Sequence, residues 1–116
     1  MSIRSQQYAQ EAFLMIEAVK GSAIEAKYRT LALNFPSMIL QSGLSQSTGF
    51  LLAKGKAEHI QLLNHLAQII GGKGQTAETF HTTLLTADLQ QYQILTRKTI
   101  DAASSLKRYT QALLSA

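Results

Sequence analysis

The sequence predicts an all-α protein, a compact bundle of six or seven helices forming a single domain over residues 1–116. Three observations carry this. Apolar residues recur at spacings of three and four almost everywhere, and no stretch alternates with period two for long. Capping patterns punctuate the chain, S-x-x-E at Ser22–Glu25 and D-x-x-Q at Asp88–Gln91. No linker is long enough to divide it, the one obvious flexible connector being GGKGQT, Gly71 to Thr76.

The first helix is expected from about Ser5 to Lys20, with Tyr8, Ala12, Met15 and Val19 on one face and Phe13 and Ile16 beside it; Gly21 ends it. The Ser22–Glu25 box starts a second helix at Ala23 that turns Ile24, Tyr28 and Leu31 inward. Pro36, the single proline, disfavours the α conformation at Phe35, so this helix is expected to end near Asn34. A short third helix then starts with Pro36 at its first position, where a missing N–H costs nothing, and runs to Gly43. Leu44 opens the next, with Phe50, Leu51 and Leu52, and another covers Ala57 to Ile70 around Ile60, Leu63, Leu66 or Ala67, and Ile70. Thr76 caps a short helix through Leu85. Asp88 and Gln91 box the last, whose inward stripe is Tyr92, Leu95, Thr99, Ala102, Leu106, Tyr109 and Leu113.

Composition narrows the function classes. An apolar content of 46 % is that of an ordinary globular protein and argues against disorder. Charged residues are only 16 %, below the usual ~25 %, and such a surface is cheap to desolvate, which suits assembly with other chains. Eleven Lys and Arg against seven Asp and Glu give +4 and a pI near 9.6, a bias that attracts polyanions such as RNA or DNA. There is no cysteine, hence no disulfide and no thiolate metal site. The apolar N-terminal stretch Ala12–Val19 is short and interrupted by Glu17, too little for a signal peptide or a membrane span; a cytoplasmic protein is expected.

Catalytic equipment is hard to find. His59 and His65 are six apart, about 240° around a helix, and with His81 they read as surface or boundary residues. The seven carboxylates are scattered singly. Ser104 and Lys107 match S-x-x-K without the companion motifs. In the glycine cluster Lys73 is followed by Gly74 and preceded by a helix, unlike a phosphate loop, though Lys73 could still touch a phosphate. We therefore expect no catalytic residue, metal, cofactor or small-molecule substrate. What remains is basic surface: Arg97, Lys98, Lys107 and Arg108 on the last helix, and Lys54 and Lys56 flanking Gly55. The bland alternative for each is a solvated charge, and a helix C-terminus already accounts for Lys54 locally.

Two segments carry a resemblance. FPSMILQSGLSQSTGFLLAK, Phe35 to Lys54, and YQILTRKTIDAASSLKRYTQALL, Tyr92 to Leu114, are similar to the small α-helical subunit of the Cmr-type (type III-B) CRISPR RNA-guided effector complexes. The first matches the family's proline, small residue, Met-Ile, Gly-Leu and apolar helix ending in lysine. The second has its threonine near the start and Lys-Arg pair near the end. Ser105 departs from the pattern, an aromatic residue being frequent before Leu106.

The resemblance implies a non-catalytic subunit that stacks in a few copies beside the backbone subunits. It would help line the channel for guide and target RNA, with cleavage left to a neighbour. By matching position, Lys54, Arg97, Lys107 and Arg108 are the RNA-facing candidates, with Lys98 and Lys56 beside them. Phosphate contacts of this kind read charge and shape rather than sequence. The implied partners are other Cmr subunits, copies of itself, guide RNA and target RNA, with no membrane. A purely structural adaptor and a stand-alone RNA-binding helical domain are the alternatives. Met38, Ile39 and Leu40, being consecutive, cannot all face one side of a helix. At most two enter the core, and this trio is the candidate protein interface.

Overall fold

A computed structural model describes residues 3–72 and 74–115. Among them are six helices and no strand: α1 (Ile3–Val19), α2 (Glu25–Ser42), α3 (Leu44–Lys54), α4 (Ala57–Gly71), α5 (Ala77–Thr86) and α6 (Leu89–Leu113). The all-α reading stands.

Helix directions follow from side-chain contacts. Arg4 pairs with Asp101 and Phe13 meets Tyr109 edge-on, so α1 and α6 run parallel. Tyr92, near the start of α6, bonds Ser45 just past the end of α2, while Glu25 at the start of α2 bonds Ser115 beyond the end of α6. Helix α2 is therefore antiparallel to both. Helix α4 touches all five other helices. It buries Leu62, Leu63, Leu66, Ala67 and Ile69, and also Glu58 and His65, so it is covered nearly all round. One apolar cluster joins every helix, and the 13.1 Å radius of gyration matches the roughly 13 Å of a compact chain of this length.

The largest departure from the sequence reading lies at Pro36. Helix α2 does not end at Asn34 but runs through the proline to Ser42. A proline there removes the N–H that would bond the Ala32 carbonyl and costs about 3 kcal/mol in a helix interior. The opposing gain is visible in the spacing of Tyr28, Ala32, Phe35 and Ile39, one continuous stripe crossing the proline, each residue at most 2 % exposed. Breaking the helix at Pro36 would rotate Phe35 and Ile39 off that face. Gly43 makes the break instead. It adopts φ 85° and ψ 163°, donates its N–H to the Ile39 carbonyl at 2.8 Å, and closes α2 while opening α3. Ser47 Oγ donates to the Gly43 carbonyl, and the Tyr92 hydroxyl accepts from Ser45 N–H, both at 2.8 Å, so α6 caps α3 across the fold.

Other caps differ from the local pattern too. Glu25 does not box with Ser22. Its Oε1 accepts from Gly21 N–H at 2.9 Å and its Oε2 from Ser115 N–H at 3.1 Å, clamping the α1–α2 turn to the C-terminal segment. These two donors hold its carboxyl below the usual range. Helix α5 begins at a box between Thr76 and Thr79, reinforced by Asn64 of α4, whose Oδ1 accepts from Ala77 N–H at 2.7 Å. Asp88 accepts from Gln91 N–H at 2.8 Å, the forward half of the expected box. Along α6 the buried set is Thr99, Ala102, Ala103, Leu106 and Thr110, with Tyr92, Leu95, Tyr109 and Leu113 half-buried at its border. No helix among the described residues is long and apolar enough to cross a membrane.

Candidate nucleic-acid interface

The four cations of α6 do not share one face. At about 100° per residue, Arg97 and Arg108 fall within about 20° of each other on the outward side, while Lys98 and Lys107 lie on opposite flanks, about 180° apart. Exposure agrees: both arginines are exposed and both lysines half-buried. The arginines stand about 16 Å apart along the axis. Asp101 and Ser104 lie between them on the same ridge, an acidic interruption that a count of basic residues hides. Asp101 Oδ2 is met by Arg4 Nη2 at 3.2 Å, an exposed pair worth about 0–1 kcal/mol. Beside this pair lies a polar cleft of about 220 Å³, lined by Arg4, Ser5, Tyr8, Asp101, Ser104, Ser105 and Arg108. Burial pushes the Tyr8 phenol up, opposed by nearby Arg4 and assisted by Asp101 and Glu11.

A second basic point is the α3–α4 junction. Lys54 is the last residue of α3, Gly55 turns the chain in the left-handed region at φ 64°, and Lys56 caps α4. Both lysines are exposed. The Lys54 ammonium lies 5.7 Å from the centroid of the Phe50 ring, and His59 meets the same ring edge-on at 5.8 Å. His59 Nδ1 is 3.4 Å from Glu58 Oε2 but lacks the alignment of a hydrogen bond. Gln46, Phe50 and Lys54, spaced by four, form one ridge of α3. Alongside it a groove of about 450 Å³ is lined by Met38, Ser42, Gln46, Ser47 and Phe50. Lys73 lies outside the described residues.

The Met38–Leu40 trio splits three ways. Ile39 is 2 % exposed and belongs to the core, so it presents nothing to a partner, a correction to the expectation for the trio. Met38 is half-buried in the wall of the α2–α3 groove, and Leu40 is 72 % exposed. Successive residues on a helix differ by about 100°, which is the whole reason.

One histidine differs from the surface-or-boundary reading: His59 and His81 are half-buried, as boundary residues are, but His65 lies in the core. His65 is buried between Tyr28, whose hydroxyl lies 2.7 Å from Nδ1, and Gln61, whose amide nitrogen lies 2.7 Å from Nε2. A neutral ring has one N–H and one lone pair, so it satisfies one contact as donor and the other as acceptor. Burial lowers its pKa to about 4 and pushes the Tyr28 phenol far up, keeping both neutral. His81, half-buried, sits 2.9 Å from the hydroxyl of buried Thr48 and ties α5 to α3. Among the described residues no group of three or more His, Asp or Glu could hold a metal ion.

Sequence reasoning passes over Phe50 and Arg4. It places Phe50 simply in an apolar helix, though the i, i+4 spacing to Lys54 is legible. Arg4 gains meaning only when α1 lies along α6.

These features define a class: a small all-helical protein whose polar surface is set with exposed cations rather than paired acids. The family model described as "CRISPR-associated protein (Cas_Cmr5)" matches residues 4–113. The chain is 40 % identical to the CRISPR system Cmr subunit Cmr5 of Thermus thermophilus, over 98 % of each chain. The crystal structure of a CRISPR-associated Cmr5 family protein from the same organism superposes with a TM-score of 0.92 at 36 % identity, covering 99 % of this chain and 100 % of that one. The chain belongs to the Cmr5 family of CRISPR-associated proteins.

Proposed function

We propose that the protein is the non-catalytic small subunit of a Cmr-type (type III-B) CRISPR effector ribonucleoprotein, in which stacked copies contact guide and target RNA through phosphates. The observation that carries the reading is end-to-end similarity to a protein that is itself a Cmr subunit. The exposed arginines at 97 and 108 and the exposed lysines at 54 and 56 support the RNA half of it. One subunit binds RNA weakly, and stacked copies gain by multivalency.

The test is target-RNA binding by the assembled complex with Lys54, Arg97, Lys107 and Arg108 reversed to Glu. With about three phosphate contacts on a single strand, log affinity falls against log salt with a slope near −2, and the reversed complex loses most of that slope. An unchanged affinity and slope refutes the RNA-facing assignment. A structural adaptor, held by protein on all sides, is the second reading. Exposed Leu14, Leu40, Leu85 and Leu89, each at least 64 % accessible, favour it. It predicts that alanine at those leucines abolishes incorporation while salt dependence stays that of assembly alone.

A further inference from the structure

The groove between α2 and α3 combines apolar walls with adjacent cations. Met38 and Phe50 supply a thioether and a ring face, and Ser42 and Gln46 supply hydrogen-bonding groups at its edge. None of its five lining residues is acidic. One turn beyond Phe50 on the same ridge stands Lys54, with its ammonium already 5.7 Å from the ring centroid, and Lys56 follows past the Gly55 turn. The carboxylate beside this cluster, Glu58, is only 7 % exposed and faces His59. Phe50 itself is 36 % exposed, although α3 buries Leu44 and Leu51 completely.

We infer that this groove receives an unstacked nucleobase of single-stranded RNA on Phe50, with the flanking phosphates on Lys54 and Lys56. The inference rests on the RNA reading above and deepens it, adding a base platform to what were only phosphate contacts. A nucleotide suits the site because it joins an apolar π-face, a polar edge and an anionic link within one residue. Aromatic platforms beside basic grooves bind single strands in this way without reading sequence, since every base has a π-face. An apolar protein segment fits less well. Covering Phe50 with one would desolvate the Lys54 ammonium against the ring without bringing a counter-charge. A phosphate supplies that charge.

The experiment uses the full-length chain and fluorescence anisotropy with three labelled strands of equal length: oligoadenylate, oligouridylate and an abasic ribose-phosphate. Phe50→Leu keeps apolar bulk and removes the π-face; Phe50→Ala removes both. Both variants are expected to weaken the two base-containing strands by roughly 5- to 150-fold per engaged base, adenine more than uracil. Both leave the abasic strand and the salt slope unchanged. Lys54→Gln with Lys56→Gln weakens all three strands alike and shrinks the slope by about 1.4.

Equal losses on abasic and base-containing strands, or no loss on any, overturn the base platform while leaving RNA contact intact. Unchanged RNA affinity with failed incorporation into the ribonucleoprotein assigns the groove to a protein partner and overturns it as well. A wild-type chain that binds none of the strands at low salt overturns the RNA reading itself.

Discussion

Alanine at Met38, Ile39 and Leu40 in turn separates scaffold from surface on a single helical turn. Ile39 is 2 % exposed inside the apolar cluster, so Ile39→Ala removes buried methyl and methylene groups and leaves a cavity, a loss of about 2–5 kcal/mol. Leu40 is 72 % exposed and gives up almost no buried area, so Leu40→Ala stays within about 0.5 kcal/mol of wild type. Met38, half-buried against the core, falls between, at about 1 kcal/mol. Urea unfolding followed by far-UV circular dichroism measures this directly. The midpoints should order as Ile39→Ala, then Met38→Ala, then Leu40→Ala closest to wild type, at a common m-value. Equal losses from all three, or a loss above about 1 kcal/mol from Leu40→Ala, would refute the placement of these side chains and the continuity of α2 across Pro36.

Three further outcomes follow from the same structure. Pro36→Ala restores a donor for the Ala32 carbonyl and recovers much of the ~3 kcal/mol that proline costs. Against that stand a freer unfolded chain and some lost ring contact, so a net gain of about 1–2 kcal/mol is expected, and a lowered urea midpoint contradicts it. Gly43→Ala forces a side chain onto φ 85°, ψ 163° and costs about 1–3 kcal/mol, whereas Gly49→Ala inside α3 gains up to about 1 kcal/mol. The new Cβ at 49 meets only the His81 ring, at 3.9 Å, and calorimetric midpoints moving in the same direction refute the contrast. His65 is held neutral by burial, with its pKa lowered to about 4, so the unfolded chain binds the extra proton. Stability is full above the ordinary histidine value and falls by roughly 3 kcal/mol as pH drops from about 6.5 to about 4; a His65→Gln chain with the same pH slope rules this out.

The helical class, most element boundaries and the apolar stripes were legible because amphipathic spacing and caps are local properties. Asp88 and Gly21 mark ends set by neighbouring residues, and Thr76 marks one by a local box to which Asn64 of α4 adds. Two of the failures involved residues far away in the chain. Glu25 left its expected box because Ser115, ninety residues on, offers it an N–H. His65 became a core residue because Tyr28 of another helix stands ready to bond it.

The candidate site shows the same division. That cations accumulate on the last helix and around Gly55 is plain from the sequence. Their division into outward arginines and flanking lysines, with Asp101 between the arginines, already follows from about 100° per residue along the helix. That Arg4 meets Asp101 follows from how α6 is seated against α1. The Phe50–Lys54 pair follows from i, i+4 spacing within α3, but the groove beside it exists only because α2 and α3 lie side by side.

Composition and periodicity thus sufficed for the class and the charge, because these are sums and spacings along one chain, while the family resemblance rested on the residues of two segments, Phe35 to Lys54 and Tyr92 to Leu114. Packing alone decided whether Pro36 would break a helix. A local penalty of about 3 kcal/mol is outweighed when continuity keeps Phe35 and Ile39 in the core.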